Sequence, residues 1–161
     1  MAVKNNSSMT VTLPSDCEIV LTREIDAPRD LVFEAYSKAD HLKHWWGRMG
    51  STLPVCEMDF RPGGAWRFVE RDATGNEWGF RGEYRDIVRP ERIVQTFEFE
   101  GMPGHISRDT LVFEDLGSRT RLVNTSVFDS VEDRDGMLQS GMEEGAGELF
   151  IRLSEYVKTI A

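Results

Sequence analysis

Cysteine is nearly absent from this chain. Cys17 and Cys56 are the only two in 161 residues, too few for a disulfide framework and without the spacing of a metal site. Free thiols of that kind fit a reducing compartment, and a cytoplasmic protein is expected. Histidine is scarce as well. Of His41, His44 and His105, the first two stand three apart on one predicted helical face, but only Asp40 is near them as a further ligand, so no metal site is expected. No apolar run approaches the ~18 residues of a membrane-spanning helix, and residues 1–15 are polar, without the apolar stretch of a secretory signal. Basic charge is outnumbered: 19 Lys and Arg stand against 28 Asp and Glu, for a net charge of −9 and a pI near 4.9. That surface repels nucleic-acid backbones and anionic membranes, so neither partner is expected. The arginines Arg61, Arg67, Arg71, Arg81, Arg85, Arg89 and Arg92 alternate with acids and read as a salt-bridged sheet face. There is no Ser-His-Asp signature, no G-x-S-x-G and no dinucleotide fingerprint, and no cofactor is expected.

What the chain does have is alternating aromatic strands followed by a helical C-terminal third. Hydrophobic residues make up 40% and charged residues 29%, an ordinary soluble composition for one domain. Residues 1–16 read as a flexible arm, with enough alternation over Met9–Leu13 to add a short edge strand before Pro14. In Glu18–Asp26, Ile19, Leu21 and Ile25 share one face. Asp26 suits a helix N-cap with Pro28 in the first turn, and Leu31, Val32, Ala35 and Tyr36 then predict a short helix. A second short helix is expected over Ala39–Trp45. Strands follow at Leu53–Phe60, Ala65–Glu70, Glu77–Val88, Arg92–Glu100, Ser107–Glu114 and Thr120–Phe128, separated by Gly/Pro turns. From Glu132 to Ile160, Leu138, Met142, Ala146, Leu149, Leu153, Tyr156 and Ile160 recur at spacings of four and three. They predict one helix on the order of 44 Å long. The order predicts an α+β domain over 17–161, with an antiparallel meander and segregated helices.

Trp45 and Trp46 are neighbours, about 100° apart on a helix, so one is expected to pack under the sheet edge and the other to cap it, or else one of them lines the mouth of a pocket. Trp66 and Phe68 share a face, as do Trp78, Phe80, Gly82 and Tyr84, and Phe97, Phe99 and Phe113 continue the aromatic ladder. Such residues build either a plain core or a pocket wall. Among the strand residues Arg67, Glu70, Glu83, Gln95 and Glu98, parity puts Glu70 with Trp66 and Phe68, as the best inward carboxylate. Gly141, Gly145 and Gly147 interrupt the helical segment, each at a cost of roughly 1 kcal/mol, and need a close approach, a kink or space for a ligand.

Several motifs occur in order: Ala27-Pro28 before a helix, His44-Trp45-Trp46-Gly47, Asp59-Phe60-Arg61-Pro62-Gly63-Gly64, Gly82-Glu83-Tyr84-Arg85-Asp86-Ile87, Pro90-Glu91-Arg92-Ile93-Val94 and Gly141-Met142-Glu143-Glu144-Gly145. Together they make residues 17–160 resemble the Hsp90-ATPase-activator-homologue group of the START/Bet v 1-like superfamily. The resemblance implies a helix-grip fold: a curved seven-stranded antiparallel sheet around the C-terminal helix, with two short helices after the first strand. It also implies a ligand cavity between sheet and helix. In that group an aromatic often follows the second helical glycine, where this chain has Ala146.

The function expected from these readings is binding of a hydrophobic or aromatic small molecule. The cavity candidates are Trp46, Trp66, Phe68, Glu70, Trp78, Phe80, Tyr84, Phe97, Phe113, Met142, Leu149 and Leu153, and no catalytic residue is assigned. The alternative is a cyclase-, aromatase- or hydrolase-like enzyme using the same cavity, since such chemistry leaves little sequence signature. A chaperone partner is not expected, because the separate chaperone-binding domain of the eukaryotic activator has no counterpart in this chain. Homodimerisation through sheet edges or exposed aromatics is compatible with the sequence.

Overall fold

The computed structural model describes residues 9–161. Eight strands form one antiparallel sheet in the order β1-β2-β8-β7-β6-β5-β4-β3. They are β1 (Thr10–Thr12), β2 (Glu18–Ile25), β3 (Thr52–Met58), β4 (Ala65–Arg71), β5 (Glu77–Val88), β6 (Arg92–Phe99), β7 (Ile106–Asp115) and β8 (Thr120–Val127). After β2 the chain passes through helices α1 (Arg29–Ser37) and α2 (Ala39–Leu42) to the opposite edge of the sheet. It then returns strand by strand until β8 pairs with β2, joining Ile25 to Thr120 and Glu18 to Val127. The sheet has one strand more than the seven expected, because Thr10–Thr12 of the N-terminal arm pairs with Val20–Thr22. Residues 1–8 of that arm lie outside the described residues.

Alternation decides which face is covered. On β2, Ile19, Leu21, Arg23 and Ile25 are buried while their neighbours are half-buried. The register carries that parity across the sheet, from Ile25 to Thr120, from Phe113 to Leu122 and from Phe68 to Phe80. A register shift between Tyr84 and Asp86 moves Ile87 onto the inner face opposite Ile93. The outer face carries the expected ion pairs, among them Arg67–Glu100 at 2.7 Å, Arg81–Glu98 at 3.1 Å and Arg121–Glu114 at 3.1 Å.

Helix α1 differs from the sequence expectation at its start. Its N-cap is Pro28, in extended conformation and with no side-chain cap hydrogen bond, rather than Asp26. The second short helix closes at Leu42, three residues earlier than expected, and leaves Trp45 and Trp46 in the loop that follows. Trp45 is 0% exposed and donates its indole N–H to the Ala35 carbonyl at 3.1 Å. Around it Phe33, Tyr36 and Phe113 meet edge to face, with Phe33–Phe113 centroids 5.1 Å apart and Tyr36–Phe113 5.3 Å apart. This aromatic knot, with Val32, Leu153 and Val157, forms the tightest part of the core.

The single long helix does not form. The segment folds as α3 (Val131–Gln139) and α4 (Met142–Thr159), broken where Gly141 takes a left-handed φ of +86°. Only glycine reaches that conformation without strain, so Gly141 is a break point rather than a kink within a helix. Ser130 caps α3, its hydroxyl accepting from the Asp133 N–H at 3.0 Å. The buried residues of α4 are Gly147, Phe150, Leu153 and Val157, while Met142, Ala146, Leu149, Tyr156 and Ile160 flank them half-buried.

Two glycines give opposite predictions. A Cβ on Gly82 would lie 2.0 Å from the Thr96 carbonyl oxygen and 2.6 Å from the Trp66 indole nitrogen, because the Trp66 ring lies across it. Gly82→Ala is therefore expected to destabilise the protein by about 1–3 kcal/mol. Gly136 sits inside α3 with nothing within 4 Å of a built Cβ. Gly136→Ala is expected to stabilise by about 0.5–1 kcal/mol. Urea unfolding of both variants measures the contrast.

Candidate functional site

Most of the cavity candidates named from the sequence lie on the inner face of the sheet or on α4. The loop from His44 to Ser51 fixes α4 there. Arg152 donates to the carbonyls of Arg48 at 2.9 Å and His44 at 3.1 Å, and to the Ser51 hydroxyl at 3.3 Å. Glu148 accepts from the Met49 N–H at 2.9 Å, and Arg48 donates to the Gly141 carbonyl at 3.0 Å. Gly145 allows the Arg48 guanidinium to lie against the helix, since a Cβ there would come within 3.1 Å of it. Nearer the C-terminus, the Tyr156 hydroxyl and His41 Nδ1 are 2.6 Å apart, and the Tyr156 and His44 rings stack at 5.2 Å.

Glu70 points inward as parity implied, at 6% exposure, and its Oε2 accepts from the Arg48 N–H at 2.8 Å. Burial lowers the pKa of Arg152, and the negative charge of Glu70 opposes that shift. Glu70 thus holds the clamp loop and offsets the charge of Arg152.

The other candidates separate into two groups. Tyr84, Phe113 and Leu153 are fully packed in the core, at the end where Phe60 meets Tyr84 at 5.0 Å. Trp66 and Phe68 are also buried, but they belong to a second aromatic wall with Trp46, Phe80, Phe97 and Phe99. Trp46 meets Phe68 at 5.1 Å and Phe80 at 5.2 Å, both edge to face. Trp46, Phe80, Phe97, Met142 and Leu149 are half-buried. Trp78 is on the same face but at the end of β5, 44% exposed, with its indole N–H 3.3 Å from Asp72 Oδ2, so it lies at the rim.

A polar patch on the inner face escaped the sequence reading. The register aligns Gln95 with Asp109 and Asp109 with Ser126, and sets Ser107 beside Phe97 and Asn124 beside Leu111. Ser107 donates to Asp109 Oδ1 at 3.1 Å, and the Ser126 hydroxyl also bonds the carboxylate. Burial pushes the Asp109 carboxyl up to about 6, against the pull of those two hydroxyls. Asn124 Oδ1 is buried with no hydrogen-bond partner among the described residues. The available signal was parity: Asp109 shares a face with Leu111 and Phe113, and Asn124 and Ser126 share one with Leu122. Of the other strand polars, Glu98 faces outward, accepting from the Gly104 N–H at 2.7 Å and from Arg81 at 3.1 Å.

Among the described residues, no group of three or more His, Cys, Asp or Glu is arranged to hold a metal ion, and no helix is long and apolar enough to cross a membrane. Open grooves among the described residues include one of about 460 Å³ bounded by Pro28, Leu31, Glu34 and Ala161, and one of about 370 Å³ bounded by Trp66, Arg67, Arg81, Gly82 and Glu98.

One antiparallel sheet laid against a C-terminal helix, with helices inserted after the second strand, defines an α+β protein of the helix-grip class. Residues 26–158 match the family described as Activator of Hsp90 ATPase homolog 1-like protein, and the chain belongs to that family. Solved structures with the same fold include a protein from Rhodobacter sphaeroides (19% identity, TM-score 0.86, covering 94% of this chain and 99% of that one). Another is from Arthrobacter aurescens (22% identity, TM-score 0.84, 95% and 93% covered). The AHSA1 protein from Silicibacter pomeroyi is a third (21% identity, TM-score 0.74, 89% and 99% covered). At those identities the likeness shows the fold. No curated protein matches the chain.

Two predictions follow from the buried carboxylates. Glu70→Ala leaves the Arg48 N–H without its acceptor and is expected to cost about 1–3 kcal/mol, whereas Glu70→Gln keeps a carbonyl acceptor and should retain most of that stability. Urea midpoints at neutral pH distinguish the two. Asp109 acts in the opposite sense, because its folded pKa of about 6 lies above its ordinary value of 3.8. Its ionisation therefore weakens the fold increasingly as pH rises from about 4 to 6, and by a constant amount above that. Asp109→Asn should accordingly stabilise the protein more at pH 8 than at pH 4. An equal effect at both values would contradict the assignment.

Proposed function

We propose that the protein binds a hydrophobic, aromatic small molecule between the inner face of the sheet and helix α4. The reading rests on one observation. Residues in the middle of the covered face, Phe80, Phe97, Asp109, Leu111 and Asn124, stay half-buried although α4 lies over that face, and so do Met142, Ala146 and Leu149 opposite. A face that closed on itself would bury them, as the aromatic knot around Trp45 does. Asp109 keeps accessible surface although its burial is enough to raise its carboxyl pKa. An apolar wall with a few convergent polar groups is the usual make-up of a small-molecule site. The family's fold is a ligand-binding one, and this supports the same reading.

Ala146 is the residue that tests it. Phenylalanine at that position would occupy the space between α4 and the sheet without adding charge. Binding of 2-naphthol is measured by quenching of tryptophan fluorescence, because Trp46 and Trp66 belong to the wall. The native protein should bind the probe saturably. Ala146→Phe should weaken binding at least about tenfold, the loss of a filled pocket, with the unfolding midpoint kept or raised. Undiminished binding in that variant would put the ligand elsewhere.

A further inference from the structure

Asp109 and Asn124 are acceptors on the covered face, bordered by the aromatic wall and sharing that face with the buried Arg23. Three adjacent strands, β6, β7 and β8, contribute Gln95, Asp109, Ser107, Ser126 and Asn124 to one spot on the covered face. Phe97 pairs with Ser107 in the register, and Phe97 lies 5.6 Å from Phe80, so the aromatic wall borders the patch directly. The outer face of the same strands satisfies its charges with ion pairs and backbone donors. The inner patch is satisfied only in part. An ionised carboxylate offers about four acceptor positions, and the serine hydroxyls of Ser107 and Ser126 supply Asp109 with two donors. Asn124 Oδ1 receives none among the described residues. Buried acceptors left open are costly unless something donates to them.

Resting on the cavity reading above, we infer that Asp109 and Asn124 form the polar anchor of that cavity and select an aromatic ligand carrying a neutral hydroxyl donor. The hydroxyl would donate to the open positions on Asp109 and Asn124 while the ring lies against Phe80 and Phe97. An unsubstituted hydrocarbon would leave both acceptors open. A carboxylate at that end would face the Asp109 charge within a protein of net charge −9 and would be rejected. A site built to bond a hydroxyl discriminates strongly against the analogue that lacks it, because its own polar groups are then left without partners.

Naphthalene, 2-naphthol and 2-naphthoate share one ring system and differ in this group alone, so they are the probes. They are titrated at pH 7.5 against the full chain, followed by tryptophan quenching and by calorimetry. The expected order is 2-naphthol tightest, by at least about tenfold over naphthalene, with 2-naphthoate weakest. Asp109→Leu should collapse the naphthol-to-naphthalene ratio to within about twofold, and Asn124→Leu should reduce it in part. Asp109→Asn keeps the volume and the serine contacts, and serves if the leucine variant does not fold; it should lower the ratio too. Equal binding of naphthol and naphthalene, with both probes blocked by Ala146→Phe, would overturn the anchor and leave the cavity reading standing. Tighter binding of 2-naphthoate would overturn it as well. Failure of all three probes to bind would overturn both readings.

Discussion

Helix α4 is held by a polar clamp, and the shape of everything on the inner face follows from where that clamp grips. Arg152 reaches two loop carbonyls and the Ser51 hydroxyl, Arg48 reaches back to the carbonyl of Gly141, and Glu148 takes the Met49 N–H. Glu70 connects this arrangement to the sheet through the Arg48 N–H. A helix seated only by apolar contact could slide to whatever position packs best, since close packing is favoured wherever nothing prevents it. Directional hydrogen bonds to the 44–51 loop fix the position of α4 instead. The burial of Arg152, which lowers its pKa, is a cost of this arrangement, and the Glu70 charge partly offsets it.

The result is a protein with two unlike ends. At one, α1, β7 and the C-terminal half of α4 close around Trp45, Phe113, Leu153 and Val157, each almost entirely buried. At the other, Trp46 of the loop after α2 meets Phe80 of β5, and Phe97 and Phe99 of β6 continue the wall, all half-buried. Each fully buried apolar side chain contributes roughly 1.5–3 kcal/mol, so the closed end can carry most of the stability of the domain. Gly141 separates α3 from α4 by its left-handed φ, and α3 buries none of its residues completely.

Much of this was legible in the chain. The period-two pattern of β2, β4 and β5 located the covered face, and the short turns implied a meander. Parity alone turned Glu70 inward. Where the reading went astray, the cause was a single backbone angle or an unexamined parity. Periodicity cannot register one left-handed residue, so Gly141 was read through as part of one helix. Of the expected stripe Leu153 is fully buried, while Met142, Ala146, Leu149 and Tyr156 flank it half-buried and Phe150 and Val157 complete the buried line. The short edge strand that the alternation of Met9–Leu13 suggested does form, at Thr10–Thr12, where β2 offers an unpaired backbone edge, although it was left out of the count of seven strands. Asp109, Asn124 and Ser126 were passed over because polar residues on strands are usually assigned to solvent. Their alternation with Leu111, Phe113 and Leu122 was the contrary signal.

That inner patch is where local stability and foldability disagree, and the disagreement is informative. A leucine at 109 would suit the strand, the face and the core better than a carboxylate whose burial raises its pKa to about 6. Serines on both sides reduce the cost without removing it, and Asn124 adds a second buried acceptor beside them. A chain that pairs the charges of its outer face so thoroughly has no need of inward carboxylates for solubility. Departures from local consistency concentrate where a protein meets something other than itself. A desolvated acceptor on an aromatic wall is costly while it stands alone and favourable once a donor reaches it, so the same feature that weakens the empty protein would fix the orientation of what fills it.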